Sequence, residues 1–188
     1  MQFKFKHSKI TFNTKAKLVN GLNVTFVFAE DAKSVYQELT KNPQAILVED
    51  LNKLSGLVVH NDTILMSLGA KSKFTSDGLV NVATSLAKFV ASREISEINL
   101  HLTNVHAEKL ALSYAELVEK FIVDFGNGLY YFDDFKTEKT KLALEKVHVS
   151  SDEDLSKALA NAVAILEGYF IVRDLANNPS NVATPSYL

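Results

Sequence analysis

Strand-like and helix-like apolar periods alternate along this chain. That alternation limits the fold more than any other feature, because each period must bury a different kind of surface. Residues 23–30 (NVTFVFAE) are rich in β-branched and aromatic side chains and follow Asn20-Gly21, which predicts a buried strand entered from a turn. Residues 63–68 (TILMSL), ending at Gly69, predict a second strand. In residues 97–102, Ile98, Leu100 and Leu102 alternate with Glu97, Asn99 and His101, which predicts a strand with one more polar face. Residues 142–150 (LALEKVHVS) are a fourth candidate, and Phe3 and Phe5 point to an N-terminal edge strand.

Helical periods lie between these runs. Leu79, Val82, Ala83, Leu86, Ala87 and Val90 form one apolar stripe behind the capping candidates Thr75, Ser76 and Asp77. Leu110, Tyr114, Leu117, Val118, Phe121 and Phe125 form another, which Gly126-Asn127-Gly128 is expected to end or bend. The last helix is expected to open at Ser151, with Asp152, Glu153 and Asp154 at its positive end, and to stop near Asn177 or Asn178, before Pro179. Ala162, Ala164, Ile165 and Ile171 widen its main stripe of Leu155, Leu159, Val163, Leu166 and Phe170. Its apolar face is therefore expected to exceed what its own domain covers.

The 188 residues suffice for one domain with a sizeable core plus a tail. No apolar run approaches the roughly 20 residues needed to cross a bilayer, so no membrane partner is expected. The absence of cysteine excludes thiolate chemistry and disulfides, and with no apolar signal segment at the N-terminus a cytoplasmic location is the expectation. A net charge of −2 gives no general attraction to nucleic acid, for which Lys4, Lys6, Lys9, Lys15 and Lys17 are the only local support.

Catalytic patterns are incomplete. Gly69-Ala70-Lys71-Ser72 follows a strand as a phosphate loop does, but its glycine and lysine are not adjacent and the upstream glycine is missing. His106-Ala107-Glu108 matches half of a zinc-deaminase signature whose cysteine half cannot exist here, and is expected to begin a helix. The histidines His7, His60, His101, His106 and His148 include no pair spaced to hold metal on one helical face. Asp133, Asp134 and Glu138 gather near Lys136 and Lys139, a pattern that is usually a solvated charged face.

Two runs carry a resemblance. Residues 173–185 read Arg-Asp-Leu-Ala-Asn-Asn-Pro-Ser-Asn-Val-Ala-Thr-Pro, and residues 128–138 read Gly-Leu-Tyr-Tyr-Phe-Asp-Asp-Phe-Lys-Thr-Glu. Together they resemble the R-D-L-x-N-x-P-x-N-x-x-T-P junction and the G-x-Y-x-F-D-x-Y/F-K run of the leucine aminopeptidase (cytosol aminopeptidase) family, in its non-catalytic N-terminal domain. The resemblance implies a macro-domain-like α/β fold, a mixed sheet with helices on both faces, ending in a long interdomain helix; the alternative functions are a macro-domain-like ligand-binding module, by fold analogy alone a binder of ADP-ribose at the carboxyl ends of the strands, or a DNA-binding module. The resemblance divides the chain into an N-terminal α/β domain at 1–150, a linker helix at 151–178 and the start of a junction at 179–188. It implies a parent that removes N-terminal residues from peptides with two divalent metal ions, manganese or zinc, assembled as a homohexamer. The implied partners of this chain are the catalytic domain and other subunits. By the same resemblance no residue here is catalytic, cofactor-binding or metal-binding. Asp133, Asp134 and Glu138 fall on positions expected to be structural, and Arg173 and Asp174 are expected to fix the helix end and the interdomain turn.

Overall fold

The computed structural model describes residues 1–6, 8–15, 21–42, 49–105, 110–182 and 184. Among the described residues seven strands form one mixed sheet: β1 (Gln2–Phe5), β2 (Ser8–Lys15), β3 (Leu22–Val27), β4 (Leu57–His60), β5 (Thr63–Ser67), β6 (Glu97–His101) and β7 (Lys146–Ser150). Their order is β1-β2-β7-β6-β3-β5-β4. The five inner strands run parallel, and β1 and β4 are antiparallel edges.

Four α-helices accompany them among the described residues: α1 (Ala32–Thr40), α2 (Ser76–Ala91), α3 (Tyr114–Gly128) and α4 (Ser156–Asn177). Alternate side chains of the strands point to opposite faces. Phe12, Val24, Phe26, Ile64, Met66, Ile98, Leu100, Val147 and Val149 face the main core with α2, α3 and α4. Val27, Leu65 and Val58 face a smaller cluster with Ala32, Val35, Tyr36 and Leu39 of α1. Helices therefore lie on both faces, as the resemblance implied.

The strand expectations hold in place and shift at their ends. β7 starts at Lys146 rather than at residue 142, and β2, α1 and the edge strand β4 have no counterpart in the sequence reading. Strand β2 (SKITFNTK) buries only Ile10 and Phe12, too sparse a period to stand out. Thr75 caps α2, its hydroxyl accepting from the Gly78 amide. Helix α3 starts at Tyr114, past Leu110, because Ser113 and Glu116 form a reciprocal capping box.

The expected break at Gly126-Asn127-Gly128 does not occur: α3 runs through to Gly128. Both glycines serve packing instead. A Cβ on Gly126 would lie 2.4 Å from Leu166 Cδ1, and one on Gly128 would lie 2.8 Å from the Ala87 Cβ. Helix α4 opens at Ser156, not at Ser151. The Ser151 hydroxyl accepts from the Glu153 amide and Asp154 accepts from the Ser156 amide, so residues 151–154 make turns that bring the buried Leu155 to the core. Its end at Asn177 agrees with the expectation, as do its uncovered apolar residues, with Ile171 62% and Val172 63% exposed beside Ile165 and Tyr169.

These environments separate two glycines of opposite character. Gly126→Ala should lower stability by about 1–3 kcal/mol through overpacking. Gly168→Ala, where an added Cβ meets nothing within 4 Å, should raise it by about 0.5–1 kcal/mol through helix propensity. Urea unfolding of both variants checks the sign of each.

Candidate functional site

The two runs that carry the resemblance meet in space. Phe170, Arg173, Asp174 and Asn177 recur at helical spacing and so share one side of α4. That side meets Tyr130, which leaves the end of α3. The Tyr130 ring lies edge-on to Phe170, with centroids 5.1 Å apart, and the Arg173 guanidinium sits 3.9 Å above its centroid. The Tyr130 hydroxyl donates to Asp174 Oδ1 at 2.7 Å and accepts from Asn177 Nδ2 at 3.1 Å. Arg173 Nη1 donates to the Asn127 carbonyl at 3.0 Å.

Lys6, in the turn after β1, completes the cluster. Its Nζ lies 2.6 Å from Asp134 Oδ1, 3.7 Å from Asp174 Oδ1 and 3.8 Å from Asp133 Oδ1, and 4.7 Å from the Phe132 ring centroid. Its backbone has φ 48°, a left-handed conformation that costs a non-glycine residue roughly 1–2 kcal/mol. Burial lowers the pKa of the ammonium, but the Asp134 hydrogen bond and the charges of Asp174, Asp134 and Asp133 outweigh burial and raise it above the usual lysine value. Lys6 is therefore a fixed cation.

Asp133 is 1% exposed. Its Oδ2 accepts from the Thr140 amide at 2.6 Å, and its carbonyl accepts from the Lys136 amide and Lys139 Nζ, both at 2.9 Å. These carboxylates and their backbone carbonyls are held by lysines and amides, which ties the loop after α3 together. Glu138 is exposed and does not join them. Asp133, Asp134, Arg173 and Asp174, expected to hold structure, all make contacts within this cluster. The part played by Lys6 has no signal in the sequence, since it depends on where a hairpin turn falls relative to a distant helix end. It also ties up one of the lysines counted toward nucleic acid; Lys17 lies outside the described residues.

The remaining sequence candidates stay apart from the cluster. Glu30 accepts from the Lys71 amide with both carboxylate oxygens at 3.0 Å, so an acid occupies the loop that a phosphate would need. Between the carboxyl ends of β3 and β6, where successive crossovers diverge to opposite sides, a crevice is lined by Asp31, Ser34, Thr103 and Asn104 over Phe26 and Phe28. Among the described residues that line it, Asp31 is the charged one. That carboxylate sets it against a diphosphate ligand.

His7 and the His106-Ala107-Glu108 run lie outside the described residues. His60 ends β4 at the sheet edge. His148 pairs in register with Asn13 and Asn99, in a polar row across the sheet face opposite the main core. It is 4% exposed, with Nε2 3.7 Å from Glu97 Oε2. Glu97 also forms a close ion pair with Lys146.

Burial lowers the pKa of both His101 and His148; for His148 the Lys15 charge adds to burial, and Glu97 only partly opposes it. With folded values below the unfolded value of about 6.5, the unfolded chain binds more protons in that window. Stability should fall as pH drops from 6.5 through the folded values. Urea midpoints between pH 7.5 and 5 should show this fall, with a flatter profile for His148→Gln. Asp133→Ala, which strands the Thr140 amide and part of the Lys6 charge, should cost about 3–5 kcal/mol, and Asp133→Asn less, by the same measurement.

No family model matches the chain. Its sequence is 28% identical over 155 residues to "Probable cytosol aminopeptidase" of Alkalilimnicola ehrlichii, covering 79% of this chain and 30% of that protein. It is 46% identical over 69 residues to the protein of the same name from Tolumonas auensis, covering 33% and 14%. A tomato leucine aminopeptidase mutant shares the fold with a TM-score of 0.76 at 17% identity, covering 98% of this chain and 42% of that one. The bottromycin maturation enzyme BotP in complex with Mn does so with a TM-score of 0.64 at 18% identity, covering 89% and 34%. The chain spans 30% or less of the length of these curated relatives. The chain is thus similar over most of its length to cytosol aminopeptidases and shares its fold with a leucine aminopeptidase, and the share of them that it matches is consistent with an N-terminal domain.

Proposed function

We propose that this chain is the non-catalytic N-terminal domain of a metal-dependent leucyl aminopeptidase, in which it acts as a scaffold. The observation that supports this most is the extent of the match: it takes in most of this chain and under a third of the cytosol aminopeptidases. In this reading residues 1–150 are the α/β domain, 151–178 link it to the peptidase part, and 179–188 begin the junction. The uncovered Ile165, Tyr169, Ile171 and Val172 of α4 then meet the peptidase part or another subunit of a cytoplasmic homohexamer.

The parent's two divalent ions, manganese or zinc, would polarise the scissile carbonyl and activate water. Among the described residues no three His, Asp or Glu are grouped to hold a metal ion, and in this reading the peptidase part holds both ions. Its own contribution is positional: the Lys6 and Tyr130 cluster orients the end of α4, and with it the start of the junction.

The reading predicts no hydrolysis of leucine p-nitroanilide by this chain with manganese, beyond a metal-only control. Turnover above that control would overturn the non-catalytic role. Grafted in place of the matching part of the Alkalilimnicola ehrlichii relative, the chain should yield a soluble, active chimera; an insoluble or inactive chimera would count against the scaffold role.

A further inference from the structure

We propose that Lys6 latches the last turn of α4, so that one ammonium in the β1–β2 turn decides whether that helix end stays on the domain or frays. Upstream, Leu166 and Phe170 anchor α4 in the core. From Ile171 onward the helix buries little: Ile171 and Val172 are more than half exposed, and Ala176 and Asn177 are exposed. What holds this end is polar, namely Arg173 to Asn127, Asp174 and Asn177 to Tyr130, and Asp174 to Lys6.

Asp174 lies where a helix least favours an anion, beside the unpaired carbonyls of its C-terminus, and the last turn of α4 carries no basic residue of its own. The compensating charge comes from Lys6, at the far end of the sequence. Lys6 is also shared with Asp133 and Asp134 of the loop after α3; its side chain is only 9% exposed, though the Asp174 and Asp134 carboxylates it meets are 35% and 44% exposed. Without it, Asp133, Asp134 and Asp174 lose the ammonium that all three share. The core above is untouched, which makes the helix end a separate opening unit. The latch goes beyond the aminopeptidase reading and does not depend on it.

Hydrogen exchange on the full 188-residue chain tests the latch, comparing wild type with Lys6→Met, Tyr130→Phe and the control Lys9→Met. Tyr130→Phe keeps the ring beside Phe170 and removes only the hydroxyl. Lys6→Met should speed exchange of the amides at 174–178 at least tenfold, with α2 and α3 amides within twofold of wild type. Tyr130→Phe should act at the same amides by a smaller factor, and Lys9→Met should leave them unchanged. Unaltered protection at 174–178 in Lys6→Met or in Tyr130→Phe overturns the latch. So does acceleration spread evenly over α2, α3 and α4, or an equal effect of Lys9→Met.

Discussion

The close approach of α3 to its two neighbours underlies the rest of this structure. Gly126 lets the Leu166 side chain of α4 come nearly onto the α3 backbone, and Gly128 does the same for Ala87 and Thr84 of α2. Three helices can then share one sheet face and seal it, with Phe121 and Phe125 of α3 fully buried between them. The same approach sets where the chain leaves α3. Tyr130 comes off two residues after Gly128 and lands against Phe170, so packing in the core fixes the position of a polar cluster at the surface.

The other sheet face follows a different logic. Helix α1 covers only its β3, β5 and β4 side, through Val35, Tyr36 and Leu39. Across β2, β7, β6 and β3 the same face carries Asn13, His148, Asn99 and Asn23 in register. Asn99 donates to Asn23 at 3.1 Å. Polar groups at that depth are tolerated where they hydrogen-bond one another or stay neutral, and burial keeps His148 neutral near pH 7.

Legibility from the sequence followed the strength of the local signal. Strands β3 and β5, with several apolar β-branched and aromatic residues in a row, and α2, with an uninterrupted stripe behind Thr75, were readable because local preference and burial agree there. The start of α4 was not, because acidic residues after a serine suit a helix opening and a pair of capping turns equally well, and only the burial of Leu155 separates the two. The glycines of α3 were misleading for the same reason. Local propensity reads them as breakers, while their neighbours in space require them. The two motif runs were each visible, but nothing local says that Tyr130 meets Asp174, or that Lys6 meets either run.

The sequence by itself determined the α/β class, the family resemblance, the end of α4 near Asn177 and the excess of apolar surface on that helix. Each depends on periodicity or on residues adjacent in the chain. Tertiary structure alone decided which residues meet across long sequence separations: Leu166 with Gly126, Glu97 with Lys146 and His148, and Lys6 with three aspartates. The geometry of a pair brought together by folding depends on the packing of everything between, and no local preference of either residue records it.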